Sequence, residues 1–547
     1  MACNSTGNSF LKDEKPEPVL LTSEFSRGFN FSKWFETPGA QSIQFTRFVE
    51  QDFANVKGLG ADVIRLPVNM HSMTLGQPGF ILDPLLLKFL DAAVDWAEKY
   101  QLYLIIDNHS FDPVAPTDVN IDGILVKVWT QLAERYKDRG EYVIYEVLNE
   151  PHGISDKRWG EIQGTVIEAI RKIDTTHSII VGGTDFNSVE KLFSIPEYDD
   201  QNLIYTFHCY DPHLFTHQGA TWGEPSLAKL AGLPFPADKK RMPPFPDDLK
   251  GTWVEDRFKN YEKDAGYAAL SQTLNRVVQF SRERNVPVFC GEFGVYMIQS
   301  PAADRVRWYE YFSDALNKRN IPWTSWDYFG GFGIFNSPDG GDFNADLNTG
   351  VVKAMGFTPP VQRTKIAKPL NAGFVIYDDF PSRDFSMGYW GADVDFSLYD
   401  TEAAEGEYAI RWGNPNQYDI FWIAFDHNGD FSKLAAEGYS LEFKARTNDV
   451  VCFDVRFQNP ENASSLPWRM RYSLDDTQIP PDGKWHTINI PLADMREHGA
   501  WINASETWLT PQGKFSWNNV KELDFVCEEG GMKNRTVWFD SIKITGP

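Results

Sequence analysis

Cysteine is scarce, with five in 547 residues: Cys3, Cys209, Cys290, Cys452 and Cys527. None stands at CxxC or Cys/His metal spacing, which excludes a zinc-ribbon or thioredoxin-like site. Four lie in strand-like runs and read as buried free thiols, with a Cys452–Cys527 bridge as the alternative. Long apolar runs are missing too. No stretch reaches about 18 consecutive apolar residues, so no membrane-spanning helix is expected. Positive charge is short, 52 Lys and Arg against 76 Asp and Glu, for a net charge of −24. That balance argues against nucleic acid or an anionic membrane as partner and suits a neutral ligand.

What the chain has in excess is aromatic side chains, 14% of residues including 18 Trp. Rings build cores, and they also form flat platforms on which the C–H faces of sugars pack. The length allows two to four domains with large cores.

The most informative stretch is Tyr142 to Gly153, YVIYEVLNEPHG. Its apolar, β-branched and aromatic run has the character of a strand covered on both faces. It ends in Asn149-Glu150-Pro151, and Pro151 forces Glu150 into an extended or turn conformation. Val286 to Tyr296, VPVFCGEFGVY, delivers Glu292 between two glycines in the same way. A lone Glu at a strand end is ordinarily a cap or a solvated turn residue. Two of them, each ending a core strand with Asn or Gly beside it, form a paired-carboxylate candidate of the kind that cleaves glycosides.

Between residues 23 and 357 strand-like and helix-like segments alternate. Strands are expected at Phe25–Phe31, Ala61–Val68, Leu102–Asp107, Tyr142–Leu148, Ser178–Val181, Leu203–His208, Val286–Glu292 and Ile321–Asp327. Helices are expected at Phe45–Leu59, Pro84–Tyr100, Ile124–Tyr136, Lys157–Ile173, Tyr261–Arg284 and Asp304–Arg319. Eight βα repeats in about 330 residues predict an α/β fold, a (β/α)8 TIM barrel. The Pro-, Gly- and aromatic-rich excursion from Asp211 to Lys259 is too long for an ordinary βα loop and reads as functional. Residues 1–22 read as a loose tail and 358–372 as a Pro-rich linker. Residues 373–547 show short alternating runs between turn signals, which predicts an all-β jelly-roll sandwich.

In a barrel the strand ends project Arg65, His109, Asn149, Glu150, His208, Tyr210, Glu292 and Trp326 into one bowl. Taken singly, Arg65 is equally a structural ion-pair partner, each His a satisfied core residue and Trp326 barrel packing. A packed barrel needs no such set at one end, and jointly they read as a site.

These residues carry a resemblance. Residues 24–356 resemble glycoside hydrolase family 5, within the clan of retaining (β/α)8 glycosidases. The matching positions are Arg65 in IRLPV, His109 in DNHS, Asn149-Glu150-Pro151, His208 and Tyr210 in HCY, Glu292 in GEFG, and Trp326. Phe215–Trp222, FTHQGATW, resembles a loop of thermophilic endo-β-1,4-glucanases of that family. Ser110 stands where such relatives often carry a second His, a departure that bears on mannan-type dual specificity and not on the core machinery.

The resemblance implies a retaining, endo-acting β-1,4-glycanase, an endo-β-1,4-glucanase (cellulase) working by double displacement. Glu292 would be the nucleophile and Glu150 the acid/base, which calls for a protonated Glu150 and an ionised Glu292. The chemistry also calls for carboxyl groups about 5–5.5 Å apart. Asn149 would bind the 2-hydroxyl, His109 and His208 would orient hydroxyls and carboxylates, and Trp326 would be the platform at the cleaved position. Trp34 and Trp222 are candidate platforms further along the cleft. The alternatives are a hemicellulase on mannan, xyloglucan or mixed-linkage glucan, and a non-catalytic surface glycan-binding protein.

Phe374–Phe380 (FVIYDDF) and Val537–Ile544 (VWFDSIKI) resemble the edges of jelly-roll carbohydrate-binding modules of family 11 and its neighbours. That implies a glucan-binding face, with a stabilising accessory domain as the alternative. No cofactor is expected for catalysis and no metal at the active site. Modules of this kind often hold a structural calcium, for which Asp378, Asp379 and Asp540 are candidate donors. The expected partner is a β-glucan polysaccharide, the expected state a monomer and the expected location extracellular. The polar start behind Cys3 resembles a mature bacterial lipoprotein, which would place the protein on a cell surface.

Overall fold

The computed structural model describes residues 17–338, 340–364, 373–383, 385–461, 465–502 and 505–547. They form two compact units. The first holds the N-terminal part through Glu36 and the chain from Glu50 through the barrel, and the second joins Thr37–Val49 to the C-terminal region.

Eight parallel strands close a barrel in chain order. They are β1 (Arg27–Asn30), β2 (Val63–Val68), β3 (Tyr103–Asn108), β4 (Val143–Glu146), β5 (Ile179–Gly182), β6 (Leu203–His208), β7 (Val288–Glu292) and β8 (Trp323–Ser325). Closure is visible in β1, which pairs with β2 on one side and β8 on the other. Every residue of β2 and β6 is buried, as expected of strands covered on both faces. Val63, Ile105, Ile144, Ile180, Ile204 and Phe289, joined by Phe25, pack together as the floor of the barrel. This plug of branched side chains leaves only the strand ends free for chemistry.

The helices of this first unit are α1 (Glu50–Leu59), α2 (Pro84–Lys99), α3 (Asp122–Tyr136), α4 (Asp156–Arg171), α5 (Thr184–Asn187), α6 (Val189–Leu192), α7 (His213–Thr216), α8 (Trp253–Lys259), α9 (Tyr261–Asp264), α10 (Tyr267–Arg284), α11 (Ala302–Lys318) and α12 (Thr349–Ala354). Local chemistry sets their ends. The Asp83 side chain accepts from the Leu85 N–H at 2.8 Å with Pro84 in the first turn of α2. At the C-terminus of α10, Asn285 takes the left-handed conformation, φ 53°.

The expected elements shift in detail. The first helix begins at Glu50, because Phe45–Arg47 forms a 3-10 turn. The helix expected over Tyr261–Arg284 is broken at Ala265–Gly266. The expected tail is docked from Glu17 on: Val19 is buried and its N–H bonds Arg319 O at 2.9 Å, while Arg282 bonds Glu17 and the Pro18 carbonyl. Cys3 lies outside the described residues. The first half of the expected linker also belongs to the barrel unit, where Thr358 N–H bonds Leu59 O and Arg363 N–H bonds Asn344 O.

The second unit contains two antiparallel seven-stranded sheets. One is built from β9 (Phe374–Asp378), β10 (Phe380–Pro381), β12 (Asp395–Asp400), β13 (Ala409–Gly413), β15 (Ser440–Thr447), β18 (His486–Pro491) and β22 (Thr536–Thr545). The other runs β11 (Phe385–Trp390), β14 (Ile420–Gly429), β21 (Val520–Val526), β16 (Phe453–Gln458), β17 (Trp468–Leu474), β19 (Arg496–Ile502) and β20 (Thr507–Leu509). Phe421 and Phe525 stack at 4.3 Å inside, with Phe443, Phe453 and Phe539 around them. Thr37–Val49 bonds within this unit: Gln44 donates to Met387 O at 2.8 Å, and Phe45 N–H donates to the Tyr399 hydroxyl at 3.2 Å.

Cys209, Cys290, Cys452 and Cys527 are all free, which removes the Cys452–Cys527 bridge; three are buried as expected, and Cys452 is exposed. Of the candidate calcium donors, Asp379 and Asp540 are engaged in part by backbone N–H groups. Asp540 Oδ2 accepts the N–H groups of Ala404 and Glu405, and Asp379 Oδ1 accepts those of Glu407 and Tyr408. Asp378 is exposed, and the three form no ligand group among the described residues. No helix among the described residues is long and apolar enough to cross a membrane.

Candidate active site

Arg65, on β2, is the hub of the barrel mouth. Its guanidinium is fully buried and all five donors are engaged. Nε and Nη2 grip the two oxygens of Glu146 at 2.7 and 2.9 Å. Nη1 donates to Glu292 Oε1 at 2.8 Å and to Asn30 Oδ1 at 3.0 Å. Nη2 also reaches Asn149 Oδ1 at 2.8 Å and Asp107 Oδ2 at 3.0 Å. Burial opposes the charge, yet Asp107, Glu146 and Glu292 together hold the Arg65 pKa well above its ordinary value.

Glu292 ends β7, and each of its oxygens has a donor: Arg65 on Oε1, and the Tyr210 hydroxyl on Oε2 at 2.9 Å. The flanking glycines have a steric cause. A Cβ on Gly291 would meet Thr206 Oγ1 at 2.8 Å, and one on Gly294 would meet the Trp326 carbonyl at 2.3 Å.

Glu150 lies four residues past β4, in a left-handed conformation, φ 47°. Its Oε1 is 2.7 Å from His208 Nδ1, which is also 3.7 Å from Glu292 Oε2. One oxygen of each glutamate and a His208 nitrogen all lie within 4.8 Å of one another. Burial is the largest influence on Glu150 and pushes its carboxyl up to about 7, against the lowering pull of His109 and Arg65. Burial also pushes His208 down to about 4, so the ring is neutral. This is the one trio of potential metal ligands among the described residues, and Glu292 in it is already paired with Arg65 at 2.8 Å.

His109 follows β3, with Nδ1 2.7 Å from Asp107 Oδ2. Burial disfavours its charge, but Asp107 outweighs burial and raises it to about 9. Trp326 stacks on this cationic ring at 5.6 Å and 13°. Asn149 Oδ1 is held by Arg65, which leaves the amide N–H2 facing the His109 side, 3.4 Å from its Nε2.

Eight of the candidates, Arg65, His109, Asn149, Glu150, His208, Tyr210, Glu292 and Trp326, are thus joined by direct contacts. Trp222 stands one ring further out. It is 55% exposed, edge-on to Tyr296 at 4.8 Å and beside Phe332, which in turn touches Tyr210. Trp34 is not in the cleft: it is fully buried, stacked on Trp96 and packed on Phe35 and Phe53, so neither ring face is open to a sugar. Sequence reasoning missed Glu146, Asp107 and Asn30. The signal was there for the first two, since an acid inside an otherwise apolar strand must find a cation.

A closed barrel that sets two glutamates, one with a raised pKa, within reach of each other at its C-terminal mouth has the architecture of a glycoside hydrolase. Residues 26–330 match the model for Cellulase (glycosyl hydrolase family 5), and the chain belongs to that family. Residues 386–546 match carbohydrate binding domain 30. Endoglucanase 3 of Fibrobacter succinogenes is 29% identical over 60% of this chain and 52% of its own length. Endoglucanase H of Acetivibrio thermocellus is 26% identical over 97% of this chain and 55% of its own. The chain therefore spans about half the length of these two curated relatives. The crystal structure of endoglucanase Cel5A from Thermotoga maritima aligns with a TM-score of 0.51 and 25% identity, over 60% of this chain and 96% of that one.

Proposed function

We propose that the protein hydrolyses internal bonds of a β-1,4-glucan by double displacement with retention. One observation carries this reading. Oxygens of Glu150 and Glu292 come within 4.8 Å, which suits the separation of about 5–5.5 Å in retaining enzymes and not the 6.5–9.5 Å that admits a water in inverting ones. Glu292, oriented by Arg65 and Tyr210, attacks the anomeric carbon while Glu150 gives its proton to the leaving oxygen. Glu150 then takes a proton from the water that releases the glycosyl-enzyme. Asn149 offers its N–H2 to the 2-hydroxyl, a contact that strengthens in the transition state. Trp326, backed by the His109 cation, is the platform for the sugar at the cleaved bond.

The second unit supports a polymeric substrate. On the outer face of its second sheet the Trp422 ring lies across Gly388, where a Cβ would meet it at 2.5 Å, and Trp508 lies across Gly499 at 2.8 Å. Indoles close to glycine backbone on one sheet face suit a glucan chain, and anchoring it raises local substrate concentration. A β-1,4-glucan polymer is met outside the cell, which supports an extracellular site of action.

The test is the anomer first released from a cello-oligosaccharide, followed by NMR, together with reducing ends from carboxymethylcellulose and galactomannan. The expected result is initial β-anomer and preference for the glucan. Initial α-anomer would overturn the retaining scheme, and preference for galactomannan would make the protein a mannanase.

A further inference from the structure

Behind the His208 ring lie two polar atoms with no partner among the described residues, His208 Nε2 and Thr206 Oγ1, and both Asn187 amide atoms, on the methyl side of Thr206, are likewise without one. All three side chains are more than nine-tenths buried. Thr206 and His208 alternate along β6 with Ile204 of the barrel floor, so the three point inward on one face. Thr206 Oγ1 and His208 Nε2 crowd the place where a Gly291 Cβ would sit, at 2.8 and 3.0 Å. Asn187 Nδ2 and the Thr206 methyl crowd the corresponding place on Gly182, at 2.1 and 3.1 Å. Asn187 is delivered there by a left-handed run, φ 58°, 59° and 54° at Asp185, Phe186 and Asn187. Buried polar atoms are seldom left unpaired, and two facing the same spot beside Gly291 are the setting for an internal water.

The chemistry in front of the ring selects one tautomer. Glu150 must first offer a proton to the leaving oxygen and then accept one from water. His208 Nδ1, at 2.7 Å from Oε1, serves both states only as an N–H donor. Nε2 is then a bare acceptor and needs a hydrogen from behind. We propose that Thr206 is a positioning residue for the acid/base: its hydroxyl, through an internal water it holds, supplies the donor to His208 Nε2 and keeps Nδ1–H on Glu150. The ring itself is faced by Glu150, Glu292, Arg65, Asp107 and His109, and burial keeps it neutral, as a single-proton tautomer requires. The inference rests on the reading of Glu150 as acid/base.

Thr206→Val keeps the shape and removes the hydroxyl, whereas Thr206→Ser keeps the hydroxyl. With the donor gone, Nε2 is no longer committed as an acceptor, the Nε2–H tautomer becomes accessible, and in it Nδ1 is an acceptor that holds Glu150 protonated on Oε1. Thr206→Val is expected to lower kcat roughly tenfold with little change in KM, and to move the alkaline limb of kcat/KM upward. Thr206→Ser is expected to match the parent. A Thr206→Val enzyme equal to the parent, or equal losses in both variants, would overturn the proposal. A high-resolution crystal structure of the unaltered protein is expected to show a water bonded to Thr206 Oγ1 and His208 Nε2, and a dry, closed space there would overturn it irrespective of how the variants fold. If Glu150→Gln is inactive while Thr206→Val is normal, the inference alone fails; an active Glu150→Gln removes the acid/base reading beneath it.

Discussion

Arg65 lays two of its N–H groups along the two oxygens of Glu146, at 2.7 and 2.9 Å, with both side chains sealed from solvent. The pair turns the guanidinium so that its remaining edge reaches Glu292 and Asn149. Burying charges is costly, and removing one partner strands the other. Arg65→Met leaves Glu146, Asp107 and Glu292 without their shared cation, and a loss of about 3–5 kcal/mol is expected, read as a lowered thermal transition of the barrel. Arg65→Lys cannot reproduce the two-pronged grip and is expected to lose activity as well. An Arg65→Lys enzyme with parental kcat and melting would refute the hub role.

Activity should fall as pH rises through about 7, because the proposed double displacement uses Glu150 as the acid and burial lifts its carboxyl to about 7. Its folded pKa lies above the unfolded value of about 4.3, so the folded state holds the proton more tightly. The stability from this proton is complete below the unfolded pKa and lost as pH climbs through about 7. Profiles of kcat/KM on a soluble cello-oligosaccharide and melting temperatures at pH 5 and 8 test both statements. A rate profile level from pH 5 to 9 would contradict the first.

The two glutamates should separate by leaving group. An aryl cellobioside with an acidic phenol needs no proton in the first step, so Glu150→Ala should still form the glycosyl-enzyme from it. The same variant should lose about 10²–10⁴-fold on unactivated glucan. Glu292→Ala should lose both. Equal losses on the two substrates in Glu150→Ala would reassign the acid.

Two tryptophans should behave in opposite ways. Trp34→Ala empties a core site and should cost about 3–5 kcal/mol of stability. Trp222, 55% exposed, should leave melting unchanged on replacement by Ala and raise KM for long glucans. Reversal of these two phenotypes would return Trp34 to the cleft.

The legible part of the site was local. Glu150 and Glu292 announce themselves because each follows a run of apolar residues that only a covered strand accommodates, and Gly291 and Gly294 mark a backbone pressed against its neighbours. Trp34 was misread for the converse reason. Nothing in FSKWFET separates a ring on a cleft wall from one stacked on Trp96, a partner 62 residues away.

Alternation of apolar segments, the Pro after Glu150 and the acid-rich composition are properties of neighbouring residues, so the chain alone determined an eight-unit barrel, a β-rich second unit and two acids at strand ends. Which cation holds which acid was decided only on closure, when β2 brought Arg65 between Glu146 of β4 and Glu292 of β7. The same closure left the Thr206 hydroxyl beside His208 Nε2 at Gly291. Pairings of this kind depend on strand register and on what lies across the barrel, and a linear pattern carries neither.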